Sequence, residues 1–178
     1  MRRMLTALAV GLLTFASSAW ADATIIQWSR IEGVIGADLT EINVGPFAAS
    51  IRWRTTSTGT ARINLSTGYL SFRLKGASAA KNYLYGTALG APSPAAGMVM
   101  IGTVVCNATE KAGRPVEWAD TPVLTSPGGS LSFEGYMNLP ASCTDYPEDV
   151  VFLIRHTEDA PHYGAFNFYG ADRTIRQD

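Results

Sequence analysis

Ala61-Arg62-Ile63-Asn64-Leu65-Ser66-Thr67-Gly68-Tyr69-Leu70-Ser71-Phe72-Arg73-Leu74-Lys75 decides the fold class. On each side of Ser66-Thr67-Gly68, apolar residues alternate with polar ones. A period of two marks a strand with one buried face. The connection is short, polar and ends in glycine, and Gly68 can take a positive φ at little steric cost. The segment therefore reads as a β-hairpin with Ile63, Leu70, Phe72 and Leu74 toward a core and the arginines toward water.

The same period extends outward. Ile51 to Thr56 alternates, with Trp53 on the apolar side and Arg52 and Arg54 facing water. Further strands are expected at Thr24 to Ser29, Tyr83 to Thr87, Met98 to Asn107, Ser130 to Leu139, Val150 to His156 and Tyr163 to Tyr169. Val150-Val151-Phe152-Leu153-Ile154 is continuously apolar, which predicts a central strand covered on both faces. Leu131, Phe133 and Met137 alternate with Ser132, Glu134 and Asn138, as in a half-exposed strand. Glycine and proline place a loop at Gly90 to Gly97 and a turn at Pro127-Gly128-Gly129. Helical spacing is scarce, with one short turn of helix expected near Ala77 to Asn82. The expected fold is all-β: an antiparallel β-sandwich of Ig-like or Greek-key type, with a small barrel as the alternative.

Met1 to Ala21 has a basic start at Arg2 and Arg3, an apolar run from Leu5 to Phe15 and the ending Ala19-Trp20-Ala21. That order is a secretory signal peptide with cleavage expected after Ala21. The run is about half of the ~20 residues a spanning helix needs, so no membrane span is expected after cleavage. Residues 22–178 then form a single domain, periplasmic or extracellular. The net charge of −1 becomes −3 when Arg2 and Arg3 are lost. With no basic tract, nucleic acid is not an expected partner. Cys106 and Cys143 are the two cysteines, and export places them where a disulfide persists.

No arrangement in the chain forces a reaction. The two histidines, His156 and His162, flank Thr157-Glu158-Asp159-Ala160-Pro161. They give the alternative of a small hydrolase or metal-dependent enzyme, but at a spacing that matches no ligand motif. Asp145, Glu148 and Asp149 lack the spaced loop of a calcium site. No Gly-x-Ser-x-Gly elbow is present, although Ser142 remains a conceivable nucleophile. Glu117, Asp120 and Glu134 are available carboxylates without a distinguishing pattern. No catalytic residue, metal ligand or cofactor is assigned. Among the aromatic residues, Trp118 and Tyr146 fall in turn-rich stretches and are the candidates for a ligand surface. The sequons Asn64-Leu65-Ser66 and Asn107-Ala108-Thr109 are not expected to carry glycans.

The sequence of Thr58-Gly59-Thr60-Ala61-Arg62-Ile63-Asn64-Leu65, Leu70-Ser71-Phe72-Arg73-Leu74, Gly102-Thr103-Val104-Val105-Cys106, Leu139-Pro140-Ala141-Ser142-Cys143 and Val151-Phe152-Leu153-Ile154-Arg155 resembles small exported bacterial proteins of uncharacterised function. The first two segments are also similar to the opening of the chordin-type (CHRD) domain, which implies a β-sandwich. That domain's histidine motif and closing I-R-G are missing, since Ile175-Arg176 is followed by Gln177. A fimbrial subunit would share the signal peptide, disulfide and sandwich, but its tyrosine beside the C-terminus is lacking. The reading is an exported, non-catalytic binding or structural module with an unknown protein or glycan ligand. An assembly or pilus-like subunit is a further alternative.

Overall fold

The computed structural model describes residues 23–34, 43–49, 53–55, 59–79, 98–156 and 165–177. Thirteen strands are formed there: β1 Thr24–Gly33, β2 Asn43–Val44, β3 Phe47–Ala49, β4 Trp53–Thr55, β5 Gly59–Asn64, β6 Tyr69–Leu74, β7 Ala77–Ala79, β8 Met98–Cys106, β9 Glu117–Asp120, β10 Leu124–Ser126, β11 Leu131–Tyr136, β12 Val151–His156 and β13 Ala165–Gln177. One α-helix, α1, spans Ser142–Asp145, and short 3-10 turns lie at Lys111–Gly113, Pro127–Gly129 and Pro147–Asp149. None of the described helices is long and apolar enough to cross a membrane. The expected signal peptide, the expected strand at Tyr83 to Thr87 and the expected loop at Gly90 to Gly97 lie outside the described residues.

The main sheet runs β10-β8-β12-β13-β1-β5-β6-β11, with β9 also on β8, and its long neighbours are antiparallel. The deciding hairpin forms as read. Ala61 opposes Phe72, Ile63 opposes Leu70, and Gly68 sits at φ 72. Its carbonyl accepts a bond from the Met137 N–H (2.9 Å), tying the turn to the end of β11. The continuously apolar β12 lies between β8 and β13, so both its edges and both its faces are covered.

This sheet curls until its two limbs face each other. Phe72 of β6 and Phe152 of β12 stand 5.0 Å apart between ring centres, although three strands separate β6 from β12. Trp28 of β1 adds a third ring, 5.8 Å from Phe152. Such pairs each contribute about 0.5–1.5 kcal/mol beyond their burial. Across the same interior, a Cβ added to Gly102 of β8 would lie 2.8 Å from the Phe72 ring. The two layers expected of a sandwich are thus two limbs of one curled sheet, a half-barrel, and the barrel alternative describes the closure better. A separate two-stranded sheet pairs β4 with β7.

Irregularities produce the bend. Between Trp28 and Ile31 the pairing of β1 with β5 shifts by one residue. A bulge adds local twist and restores the inward direction after an extra residue. Both Trp28 and Ile31 are therefore buried despite standing three apart. At the same level of β13, Asp172 takes φ 52, and its carboxylate meets the Arg30 guanidinium at 2.6 Å.

Off the main path of strands, β3 joins the same sheet by parallel pairing with β13, and β2 pairs antiparallel with β3. Phe47 packs with Val34, Val105, Ala108 and Leu153 in a second, smaller core. The disulfide joins Cys106 at the end of β8 to Cys143 in α1, with Cα atoms 4.9 Å apart, and so pins that helix to the sheet. Two expectations are corrected. Ala77–Ala79 is a strand, not a turn of helix, because pairing with β4 outweighs the local helix preference of alanine; residues 80–82 lie outside the described residues. The last strand runs on to Gln177, well past Tyr169.

Candidate functional site

The outer face of β1, β5, β6 and β11 carries a groove of about 690 Å³. Its polar lining follows from strand alternation. Ala61, Leu70, Phe72 and Leu131 point into the core, so Arg62, Tyr69, Ser71, Arg73, Ser132 and Glu134 point out. Register arranges them in cross-strand rows. Gln27 opposes Arg62, Arg62 opposes Ser71, and Ser71 opposes Glu134. In the next row Thr60 opposes Arg73, and Arg73 opposes Ser132.

At one end of the groove Tyr69 opposes Tyr136, the rings meeting nearly edge to face at 5.2 Å and 67°. Tyr136 is 75% exposed, the most open large apolar side chain among the described residues. Tyr69 donates its phenolic hydrogen to Glu134. That bond, then burial and the carboxylate's charge, hold the Tyr69 phenol above its ordinary ionisation range. The aromatic platform is consequently braced from behind. Arg62 in the middle row and Arg73 in the row farthest from the tyrosines have no carboxylate partner among the described residues. The groove can offer guanidinium and hydroxyl donors, hydroxyl and carboxylate acceptors, and one exposed aromatic edge.

The residues singled out in the sequence lie elsewhere. Trp118 of β9 is 45% exposed and packs edge-on against Phe47 at 5.3 Å. Arg155 covers the same Phe47 ring at 4.6 Å, forks onto both Asp120 oxygens at 2.7 Å and donates through Nε to Thr103 at 2.8 Å. Tyr146 is half-buried beneath the Arg114 guanidinium, 3.4 Å from its ring centre. No contact joins Trp118 to Tyr146 among the described residues. Both rings are held by neighbours, one against Phe47 of the small second core and one at the end of α1.

The available carboxylates are dispersed. Glu117 accepts a 2.5 Å hydrogen bond from Ser142, Asp120 belongs to the Arg155 fork, and Glu134 serves Tyr69. Asp149 is buried and accepts the Thr109 hydroxyl at 2.9 Å, whereas Asp145 and Glu148 are exposed. Among the described residues no three His, Cys, Asp or Glu side chains converge as a metal site. The His156 side chain and all of His162 lie outside the described residues. Asn107 is 2% exposed and donates to the Pro115 carbonyl, a placement that leaves no room for a glycan.

Alternation alone would have placed Arg62, Ser71 and Arg73 on one face. What it cannot give is the neighbours: β11 joins β6, and β1 joins β5, across long sequence separations. No family model matches the chain, and no curated protein or solved structure is detectably similar to it.

Proposed function

We propose that the chain is an exported, non-catalytic binding module that takes a saccharide in the groove on β1, β5, β6 and β11. The observation that carries this reading is the braced, exposed Tyr136 beside a row of polar side chains. A large aromatic left in water is not stabilising by itself, and a rigid one suits a ligand with an apolar face. Sugar rings combine such a face with a fringe of hydroxyls. Thr60, Ser71 and Ser132 can donate or accept toward these, Arg62 and Arg73 can donate, and Glu134 can accept.

A panel of oligosaccharides measured by titration calorimetry tests the proposal. The Tyr136→Ala variant is expected to bind roughly three- to tenfold more weakly, the worth of about one aromatic contact. Its thermal midpoint should fall by only a few degrees, because the ring is exposed and its ring contact is with Tyr69. Affinity unaffected by the substitution, or no saccharide bound at all, would remove this reading.

A further inference from the structure

Resting on that saccharide reading, we infer that the groove recognises an acidic sugar, with Arg62 and Arg73 gripping its carboxylate. Arg62 opposes Ser71, and Arg73 lies two residues along the same strand, so the arginines are diagonal neighbours on one face. Diagonal Cβ atoms on paired strands stand about 7 Å apart. Long, forked side chains at that spacing can close on one anion from both sides. Two like charges held so near repel each other, and a bound carboxylate converts the repulsion into attraction.

The contrast with Arg30, Arg114, Arg155 and Arg173 sharpens this. Arg30 meets Glu32 and Asp172, and Arg155 meets Asp120. Arg114 lies on Tyr146, and Arg173 donates to the carbonyls of Val150 and Glu148. Arg62 and Arg73 stand in the groove without such a partner among the described residues, in a chain whose net charge is −1. Glu134, the one acid in the lining, closes the row of Arg62 on the far side of Ser71 and is engaged by Tyr69. Arg73 stands one row beyond Glu134 and two beyond Tyr136, so the acid group goes to Arg62 and Arg73, and the ring faces go toward Tyr136. From Tyr69 to Arg73 the strand rises about 13 Å, longer than a single sugar ring, so the ligand is an oligosaccharide.

Short oligogalacturonates, their carboxyl-reduced counterparts and a polyglutamate peptide, each titrated at low and high salt, test the inference. The acidic sugar should bind at least tenfold more tightly than the reduced form at low salt. The paired substitution Arg62→Gln and Arg73→Gln should abolish that preference, the acidic form losing at least tenfold more affinity than the reduced form. Equal affinity for acidic and reduced sugars overturns the inference and leaves the saccharide reading standing. If neither sugar binds, both fall. If polyglutamate binds as tightly as the acidic sugar, the groove reads charge alone and the inference falls. Should the double variant melt early, the wild-type preference at low salt decides the matter.

Discussion

Replacing Gly102 by alanine probes the curl of the sheet more sharply than any other single change. The new Cβ would lie 2.8 Å from Phe72 Cε1, 3.1 Å from Cζ and 3.2 Å from Thr121 Cγ2. Carbon atoms prefer separations of about 3.5–4.0 Å, so the Phe72 ring must give by more than half an ångström. Phe72 is 2% exposed and packs on both Phe152 and Phe133, and has little room to move. Over-packing of this kind costs about 1–3 kcal/mol. The reduced freedom of the unfolded chain returns roughly 0.4–1 kcal/mol. The expected net loss is about 1–2 kcal/mol.

In a flat sheet the two residues could not interact. Five inter-strand steps separate β8 from β6, about 24 Å at the usual spacing. A double-mutant cycle with Phe72→Leu therefore separates the two geometries. The leucine lacks the Cε and Cζ atoms, so in that background Gly102→Ala should cost almost nothing. Urea unfolding of the four proteins should give a coupling of about 1–2 kcal/mol, above the ~0.3–0.5 kcal/mol at which distant sites add. Additivity within that margin, with both single variants folded and equal in denaturant slope, would refute the facing-limb geometry.

Reduction of Cys106–Cys143, or replacement of both by alanine, opens a covalent loop with a sequence separation of 37. The chain-entropy estimate is about 4 kcal/mol, a large part of the roughly 5–15 kcal/mol typical of a domain; a change below about 1 kcal/mol in urea midpoints would contradict it. Tyr169→Phe removes a 2.9 Å hydrogen bond to Glu32 and should cost about 1 kcal/mol at neutral pH. Burial first, then that bond, raise the Tyr169 phenol above its ordinary value, while Arg30 works against them. Its contribution is fully present below about pH 10, where folded and unfolded chains are both protonated. As pH rises further the unfolded chain releases its proton first, and the contribution is lost through the folded ionisation. Stability measured at pH 8 and pH 11 should fall less in the variant than in the parent, and an equal or steeper fall would contradict the sign.

Much of this architecture was legible in the alternation of residues. Arg62-Ile63-Asn64 and Leu70-Ser71-Phe72 declared their faces, and the unbroken Val150 to Ile154 declared its central position. The bulge after Trp28 was hidden because it breaks the very period that reveals strands, so β1 was read as ending at Ser29. The far half of β13 was hidden because residues 172–177 are all exposed and show no apolar alternation; only pairing with β1 makes them a strand. For the site, the turn-rich sequence around Trp118 hid that it stands in β9, paired with β8, and its contact with Phe47 depends on β3 pairing with β13. The groove depends on four strands from three parts of the chain, and no local pattern announces their order.

Amide chemical-shift mapping with an oligosaccharide tests the central functional claim most directly. The account predicts saturable shifts at 60–62, 69–73 and 132–136, including the Tyr136 ring, with 103–105, Trp118 and Tyr146 unmoved. Shifts confined to Trp118, Tyr146 and their neighbours, with the groove silent, would contradict it.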